Sequence, residues 1–344
     1  MPTSRTHHRA ARRSLTAALA LTTLALALTA CGGDEENSAS VAAPGTKPGQ
    51  VTIGALANGA AEKTTLRVPK VASLHAKLPQ ALRDKGELVI GVGALPAGSP
   101  PLDFVGSDQK TLTGSESDLG RLVASVLGLK PVVRNSTWEN LFVGIDSGKV
   151  DAAFSNVTDT EERKRKYEFA SYRQDNLAFE TNKTSDWTFK GDYKVLAGQT
   201  VAVGSGTNQE RILLAWQKKL KDEGKKLTVK HYPDNNGVYL ALRGKKIDAY
   251  FGPNPAVAYH VHKSAGSPQP TRSAGTFSGA GAELQGLIAA TAKKGSGLAE
   301  PLAAAINHLI KNGQYATWLK TWNLSDEAVS RSLVNPPGLP LSDS

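Results

Sequence analysis

The chain has 344 residues, with 41 Lys+Arg against 31 Asp+Glu for a formal charge of +10, and it is 40% apolar and 21% charged. That length and balance suit two globular domains and exclude a disordered polyelectrolyte. A single cysteine, Cys31, excludes an intramolecular disulfide, a CxxC redox pair and a Cys-rich zinc site.

Residues 1–14 hold Arg5, Arg9, Arg12 and Arg13 and no acid, and 15–30 are Leu and Ala broken only by Thr. A basic start, a short apolar run and small residues at its end predict an export signal over 1–30, shorter than a membrane-spanning helix. Its end, Leu28-Thr29-Ala30-Cys31, resembles the bacterial lipobox, and Arg12-Arg13 resembles a twin-arginine signal. The resemblance implies a diacylglycerol on the Cys31 sulfur, which places the chain on the extracellular face of a bacterial cytoplasmic membrane. Losing residues 1–30 removes four arginines from the +10 and leaves about +6. No basic stripe with interleaved aromatics accompanies that charge, so nucleic acid is not an expected partner.

Residues 31–68 are expected to form a lipid-anchored flexible tether, Gly-, Ser-, Ala- and Pro-rich to residue 50, with a possible short strand at 51–56. An α/β pattern begins at Glu87. Strands are predicted at 88–92, 131–134 and 150–154, with helices at 118–127 and 138–147. A second series has strands at 200–203, 227–232 and 247–251, and helices at 209–221, 238–242 and 255–262. Two further helices bury Leu302, Ala305, Ile306, Leu309 and Ile310 on one, and Tyr315, Trp318, Leu319 and Trp322 on the other. Pro336 and Pro337 mark an extended tail over 327–344. One echo links the series: Ser147-Gly-Lys-Val-Asp-Ala-Ala-Phe154 matches Gly244-Lys-Lys-Ile-Asp-Ala-Tyr-Phe251. Two lobes of similar build follow, with ligands expected beyond the carboxyl ends of strands, at loops 155–160 and 252–254.

The ordered run Gly114-Ser-Glu-Ser-Asp-Leu119, Leu127-Gly-Leu129, Trp138-Glu-Asn-Leu141, Gly148-Lys-Val-Asp-Ala152 and Thr158-Asp-Thr-Glu-Glu-Arg163, followed by Gly206-Thr-Asn-Gln-Glu210, resembles the amino-acid-binding branch of the solute-binding proteins of ABC importers (bacterial family 3). The resemblance spans about 86–322. It implies an α/β, two-lobe periplasmic-binding-protein (Venus-flytrap) fold joined by two crossing strands, with lobe I at 69–178 and 277–326 and lobe II at 179–276.

The same resemblance implies ligand roles for seven residues. Arg163 would take a carboxylate, for which a bidentate guanidinium is suited; its alternative is a surface partner for Glu161, Glu162 or Asp159. Ser155, Asn156 and Thr158 fall on the ligand-binding loop, or serve only a local turn. Thr207 and Asn208 open a helix whose N-terminus favours an anion, or simply cap it. Trp138 would pack on the ligand side chain, or on the core. Three departures stand out. Pro253 occupies the place of the acid that holds the ammonium, Ser99 that of an early aromatic, and Ser115 that of the aromatic after Gly114. A buried ammonium needs an acceptor, so either Asn254, Asp103, Glu116 or Glu283 substitutes, with Glu283 and Gln285, near the second crossing, the preferred pair, or the ligand is not a standard α-amino acid.

No P-loop and no clustered metal ligands occur, so no cofactor is expected. The resemblance implies ABC permease and ATPase partners for a monomeric receptor. A solute-sensing lipoprotein is the alternative, and an enzyme on the same scaffold a lesser one, since no Ser-His-Asp or Cys-His arrangement is readable.

Overall fold

The structure is a computed structural model that describes residues 39–40 and 47–341. The expected signal, Cys31 and most of the expected tether lie outside the described residues. In chain order the elements begin with β1 (Ala39–Ser40), β2 (Gln50–Ile53), β3 (Thr64–Arg67), α1 (Ala72–His75), α2 (Gln80–Lys85) and β4 (Glu87–Val92). Then come β5 (Phe104–Val105), β6 (Leu112–Thr113), α3 (Ser115–Val126), β7 (Lys130–Asn135), α4 (Trp138–Asp146), β8 (Ala152–Ala153) and the long β9 (Tyr167–Asn182). The second half holds β10 (Thr200–Gly204), α5 (Asn208–Asp222), β11 (Thr228–Tyr232), α6 (Asn235–Arg243), β12 (Ala249–Pro253), α7 (Asn254–Ser264), β13 (Thr271–Ser278), β14 (Gly286–Lys293), α8 (Ala299–Lys311) and α9 (Gln314–Thr321).

Two lobes share one continuous sheet path, ordered β1-β7-β4-β8-β14-β9-β12-β10-β11, with β13 also on β9. In lobe I, β4 lies parallel to β7 and β8. In lobe II, β10 lies parallel to β11 and β12. Strand β9 serves both: residues up to Asp175 pair with β14, and residues from Leu177 pair with β12 and β13. The return crossing runs from Ser278 to Gly286. These are the two crossing strands of a two-lobe periplasmic-binding-protein fold.

The sequence echo has a structural cause. Asp151 Oδ2 accepts the Val89 amide at 2.7 Å, and Asp248 Oδ2 accepts the Thr200 amide at 2.7 Å. In each lobe an aspartate just before a strand satisfies the main chain of the neighbouring parallel strand, an obligatory need for a buried amide. The two lobes are thus pinned alike.

The cores are separate. Leu88, Ile90, Leu119, Leu122, Val123, Trp318 and Trp322 anchor lobe I; Phe179, Phe189, Val203, Leu213, Trp216 and Phe251 anchor lobe II. Phe179 stacks on Phe251 with centroids 4.3 Å apart, a geometry that adds to area burial.

Two stretches depart from expectation. Residues 50–67 are not tether: β2 and β3 form a hairpin whose Val51 and Ile53 are buried in the lobe I core. Alternation of Val51 and Ile53 with polar neighbours supplies one apolar face, and α3 receives it, with Asp118 Oδ2 accepting the Gly54 amide at 2.7 Å. The segment beyond Leu324 is extended but firmly packed. Glu327 is buried against Arg173, Ser171 accepts the main chain at Leu333, and Leu339 is fully buried in the lobe II core. Several predicted elements also shift at their ends: the strand at 150–154 shrinks to β8, and the helix at 238–242 lengthens to α6, started by Asp234, whose side chain accepts the Gly237 amide at 3.0 Å.

Leu339→Ala should lower stability by about 2–4 kcal/mol, the usual cost of a cavity at a buried leucine. Urea unfolding followed by tryptophan fluorescence checks this; an unchanged midpoint would show that residue 339 does not sit in the second core.

Candidate functional site

A cavity of about 230 Å³ lies between the lobes. Its walls are strand ends. Gly93–Ser99 follow β4, Ser155–Thr158 follow β8, Gly204–Gln209 link β10 to α5, and Tyr232–Asn235 link β11 to α6. All four loops leave the carboxyl ends of parallel strands, where side chains and free amides converge.

Arg163 stands on a short 3-10 turn, Arg163–Arg165, and lines the cavity. Its Nη1 donates to the Thr158 carbonyl at 2.9 Å and its Nη2 to the Gly206 carbonyl at 3.5 Å. The guanidinium carbon sits 5.4 Å from the centroids of both Trp138 and Phe142, so aromatic faces help hold the charge. Burial lowers the guanidinium to about 10, against the opposing pull of Asp175 and Glu162; it stays cationic at neutral pH. The surface alternatives do not hold: Glu162 pairs with Arg211 at 2.8 Å, and Glu161 and Asp159 pair with Lys164. A guanidinium has five N–H donors, and these two contacts leave others for a guest.

Trp138 opens α4, and its Nε1 donates to the Gly206 carbonyl at 3.0 Å. One lobe II carbonyl therefore accepts from two lobe I side chains. Across the same cleft Asn235 Nδ2 donates to Ser99 Oγ at 3.2 Å. Thr207 does cap α5, accepting the Glu210 amide at 3.2 Å, and it also lines the cavity. Asn208 lines it too, donating to the Gly279 carbonyl of the return crossing while its Oδ1 is buried without a hydrogen bond.

The loop after β8 is fixed from beneath. Ser155 Oγ accepts the Gly93 amide at 2.8 Å. Asn156, at φ 52, donates its backbone amide to Glu116 at 2.8 Å, and its side-chain oxygen accepts from Arg173; left-handed backbone of this kind suits asparagine. Thr158 donates to Asp175 at 2.8 Å. Below them Arg173 pairs with Glu116 at 3.3 Å and with Glu327, while Tyr172 donates to Glu116.

Three expected site residues lie elsewhere. Asn254 starts α7 and donates to Glu327 at 3.1 Å. Glu283 is exposed in the return crossing, and the exposed Gln285 donates to main-chain and side-chain oxygens near the hinge. None of the three lines the cavity. Conversely, Tyr232, Asp234, Asn235 and Tyr250 line the cavity. The strand-end rule reaches Asp234 and Asn235 once it is applied to the loop after β11 as well. Ser115 is fully buried at the start of α3. Among the described residues no group of three or more His, Cys, Asp or Glu is placed to hold a metal, and no helix is long and apolar enough to cross a membrane.

A cleft walled by strand ends of two similar α/β lobes, hinged on a shared strand, defines a two-lobed solute receptor. The chain belongs to the bacterial extracellular solute-binding proteins, family 3, whose family model matches residues 90–325. It is 31% identical over 169 residues to the L-cystine-binding protein TcyJ of Escherichia coli strain K12, a match covering 49% of this chain and 59% of that protein. It is 26% identical over 273 residues to the arginine-binding protein ArgT of Corynebacterium glutamicum, covering 77% of this chain and 83% of that one. Its fold is that of a mutant of ArgBP from T. maritima, at a TM-score of 0.59 and 24% identity over 71% of this chain and 97% of that chain.

One buried acid near the site makes a pH prediction. Burial raises the Asp159 carboxyl to about 7, against the pull of Lys164. The folded chain then holds a proton that the unfolded chain releases near pH 4, so this group's contribution falls as pH rises from about 4 to 7. Asp159→Asn should therefore gain on the parent with rising pH, by on the order of 1–3 kcal/mol between pH 4.5 and 7.5. Urea midpoints of both proteins across that range provide the check; a constant difference would mean that Asp159 is ionised throughout.

Proposed function

We propose that the chain is the receptor of an ABC importer, anchored outside the cell membrane through Cys31, that encloses a small amino-acid-like solute and releases it unchanged to a permease. Lobe I comprises the strands and helices from β2 to Asp175 with β14, α8 and α9; lobe II runs from Leu177 to Ser278. Arg163 carries the reading: a half-buried guanidinium, framed by two aromatic rings, opens on a cavity of amino-acid size. It grips the solute carboxylate, with the amides at the start of α5 facing the same charge. Ser155, Asn156, Thr158, Thr207 and Asn208 frame that end, and Trp138 covers the solute side chain. Closure is driven by solute contacts made better in the closed form, and Arg163 and Trp138, which meet lobe II at Gly206, are placed to make them. The names of TcyJ and ArgT support an amino acid as solute, and the chain works as a monomer without a cofactor.

Arg163→Ala should weaken binding of the best amino acid in a thermal-shift panel by roughly 30-fold or more, the cost of truncating one partner of a buried charge pair. Titration calorimetry reads it; undiminished affinity would take Arg163 out of the site. Cys31→Ser should move the protein from the membrane to the soluble fraction of the producing cells, since the anchor is the acyl chains; continued membrane retention would count against lipidation at that residue.

A further inference from the structure

Pro253 lines the cavity and offers no side-chain acceptor at the position where the family resemblance implies an acid. We propose that Asp103 takes that part, as the counter-charge for a cationic nitrogen of the bound solute. This rests on the solute reading above and names the group that receives the other end of the molecule.

The acids near the cleft can be told apart by what they already do. Glu116 is committed to Arg173, Tyr172 and the Asn156 amide. Asp234 caps α6. Glu139 lines the rim and is exposed. Asp103 alone among them lines the cavity, is only 3% exposed and takes part in no ion pair among the described residues. A buried carboxylate without a cation is costly, and a cationic guest removes that cost.

The chain goes to some length to put Asp103 there. Ser99 and Asp103 form an isolated antiparallel bridge, the Ser99 amide donating to the Asp103 carbonyl at 2.7 Å. The loop is drawn onto the first turn of α3, where the Ser115 amide donates to the Pro101 carbonyl at 2.9 Å. Gly114, at φ 129, allows that approach: a Cβ there would lie 1.9 Å from the Leu102 carbonyl oxygen. Ser117 Oγ then donates to Asp103 Oδ1 at 2.9 Å. Ser99 and Asp103 both line the cavity.

The charges of the lining agree. Asp103, Glu139 and Asp234 stand against Arg163 alone, so a carboxylate on Arg163 leaves a surplus of negative wall. The favoured solute carries at least one cationic nitrogen, and a second one is accommodated.

Burial, then the nearby Glu116, hold the Asp103 carboxyl well above its usual range, with hydrogen bonds from Ser117 and Ser155 opposing. The groups that face it are Glu116 with Arg173 and Tyr172 from beneath, and Arg163, Asp234 and Tyr250 across the cavity. A cation placed beside Asp103 favours its ionised form, so binding expels a proton, and affinity climbs with pH until Asp103 is ionised without help.

The test is titration calorimetry of the full chain with the twenty common L-amino acids and L-cystine, run in two buffers of different ionisation enthalpy between pH 5 and 7.5. For whichever amino acid binds most tightly, we expect proton release at the acid end, weakening by roughly 30-fold or more in Asp103→Asn, and loss of proton release in that variant. The analogue of the same amino acid lacking its cationic nitrogens should bind poorly to the parent and lose little in Asp103→Asn. Loss of binding in Arg163→Ala with full binding in Asp103→Asn overturns the role of Asp103 and leaves the solute reading standing. Binding by the parent without proton release at the acid end overturns it too, because Asp103 would then stay a neutral acid that only donates a hydrogen bond; this readout needs no variant to fold. Binding of no amino acid by the parent overturns both.

Discussion

A guanidinium buried in the middle of the strand that both lobes share sets the terms for the rest of the molecule. Arg173 is 1% exposed on β9, and a charge so placed must be matched on every side. Glu116 comes to it from α3, Glu327 from the segment after α9, and Asn156 from the loop that lines the cleft. Burial works against the charge, and Glu327 and Glu116 outweigh it, so the guanidinium holds its proton more firmly than usual. Hinge, core helix, terminal segment and binding loop thus meet at one side chain. The backbone of Asn156, and with it the wall that carries Ser155 and Thr158, is set by an electrostatic demand that lies below the cleft.

That arrangement separates two tasks that one set of residues would perform poorly. Arg173 is paired from within, with Glu116 and Glu327, and ties the shared strand to α3 and to the terminal segment. Arg163 is only partly satisfied, by the carbonyls of Thr158 and Gly206, and keeps donors to spare. Gly206 is the point at which lobe II meets both Arg163 and Trp138. A solute that engages Arg163 acts on a group already in contact with the opposite lobe, which is how a small ligand can bias a two-state hinge.

Much of this was readable from residue order, and the gaps have physical causes. The apolar spacing of Leu119, Leu122, Val123 and Val126 located α3, and the repeated Gly-Lys turn with its Asp-Ala strand exposed the two-lobe plan because one hydrogen-bonding device, Asp to neighbouring amide, is used twice. Arg163, Trp138, Ser155, Asn156, Thr158, Thr207 and Asn208 do come together on one cavity. Glu283 and Gln285 did not, since closeness to a crossing in sequence says nothing about which side of the hinge a loop occupies. The hairpin at 50–67 was obscured by threonines at three of its eight strand positions, which leave little apolar signal. The terminal segment was obscured because its buried groups, Glu327 and Leu339, are isolated among Pro, Ser and Asn with no period at all. Their partners are about 150 residues distant in the chain, beyond the reach of local pattern.

That last separation bears on how the molecule is made. Leu339 belongs to the core built around Phe179, Trp216 and Phe251, yet it follows the return of the chain through lobe I. A nascent chain emerging from its N-terminal end has every strand of lobe II in hand long before residue 339 arrives, and must hold that apolar face incomplete in the meantime. Closure of such a long loop is entropically late. The core of the second lobe is therefore complete only once the chain has passed back through the first.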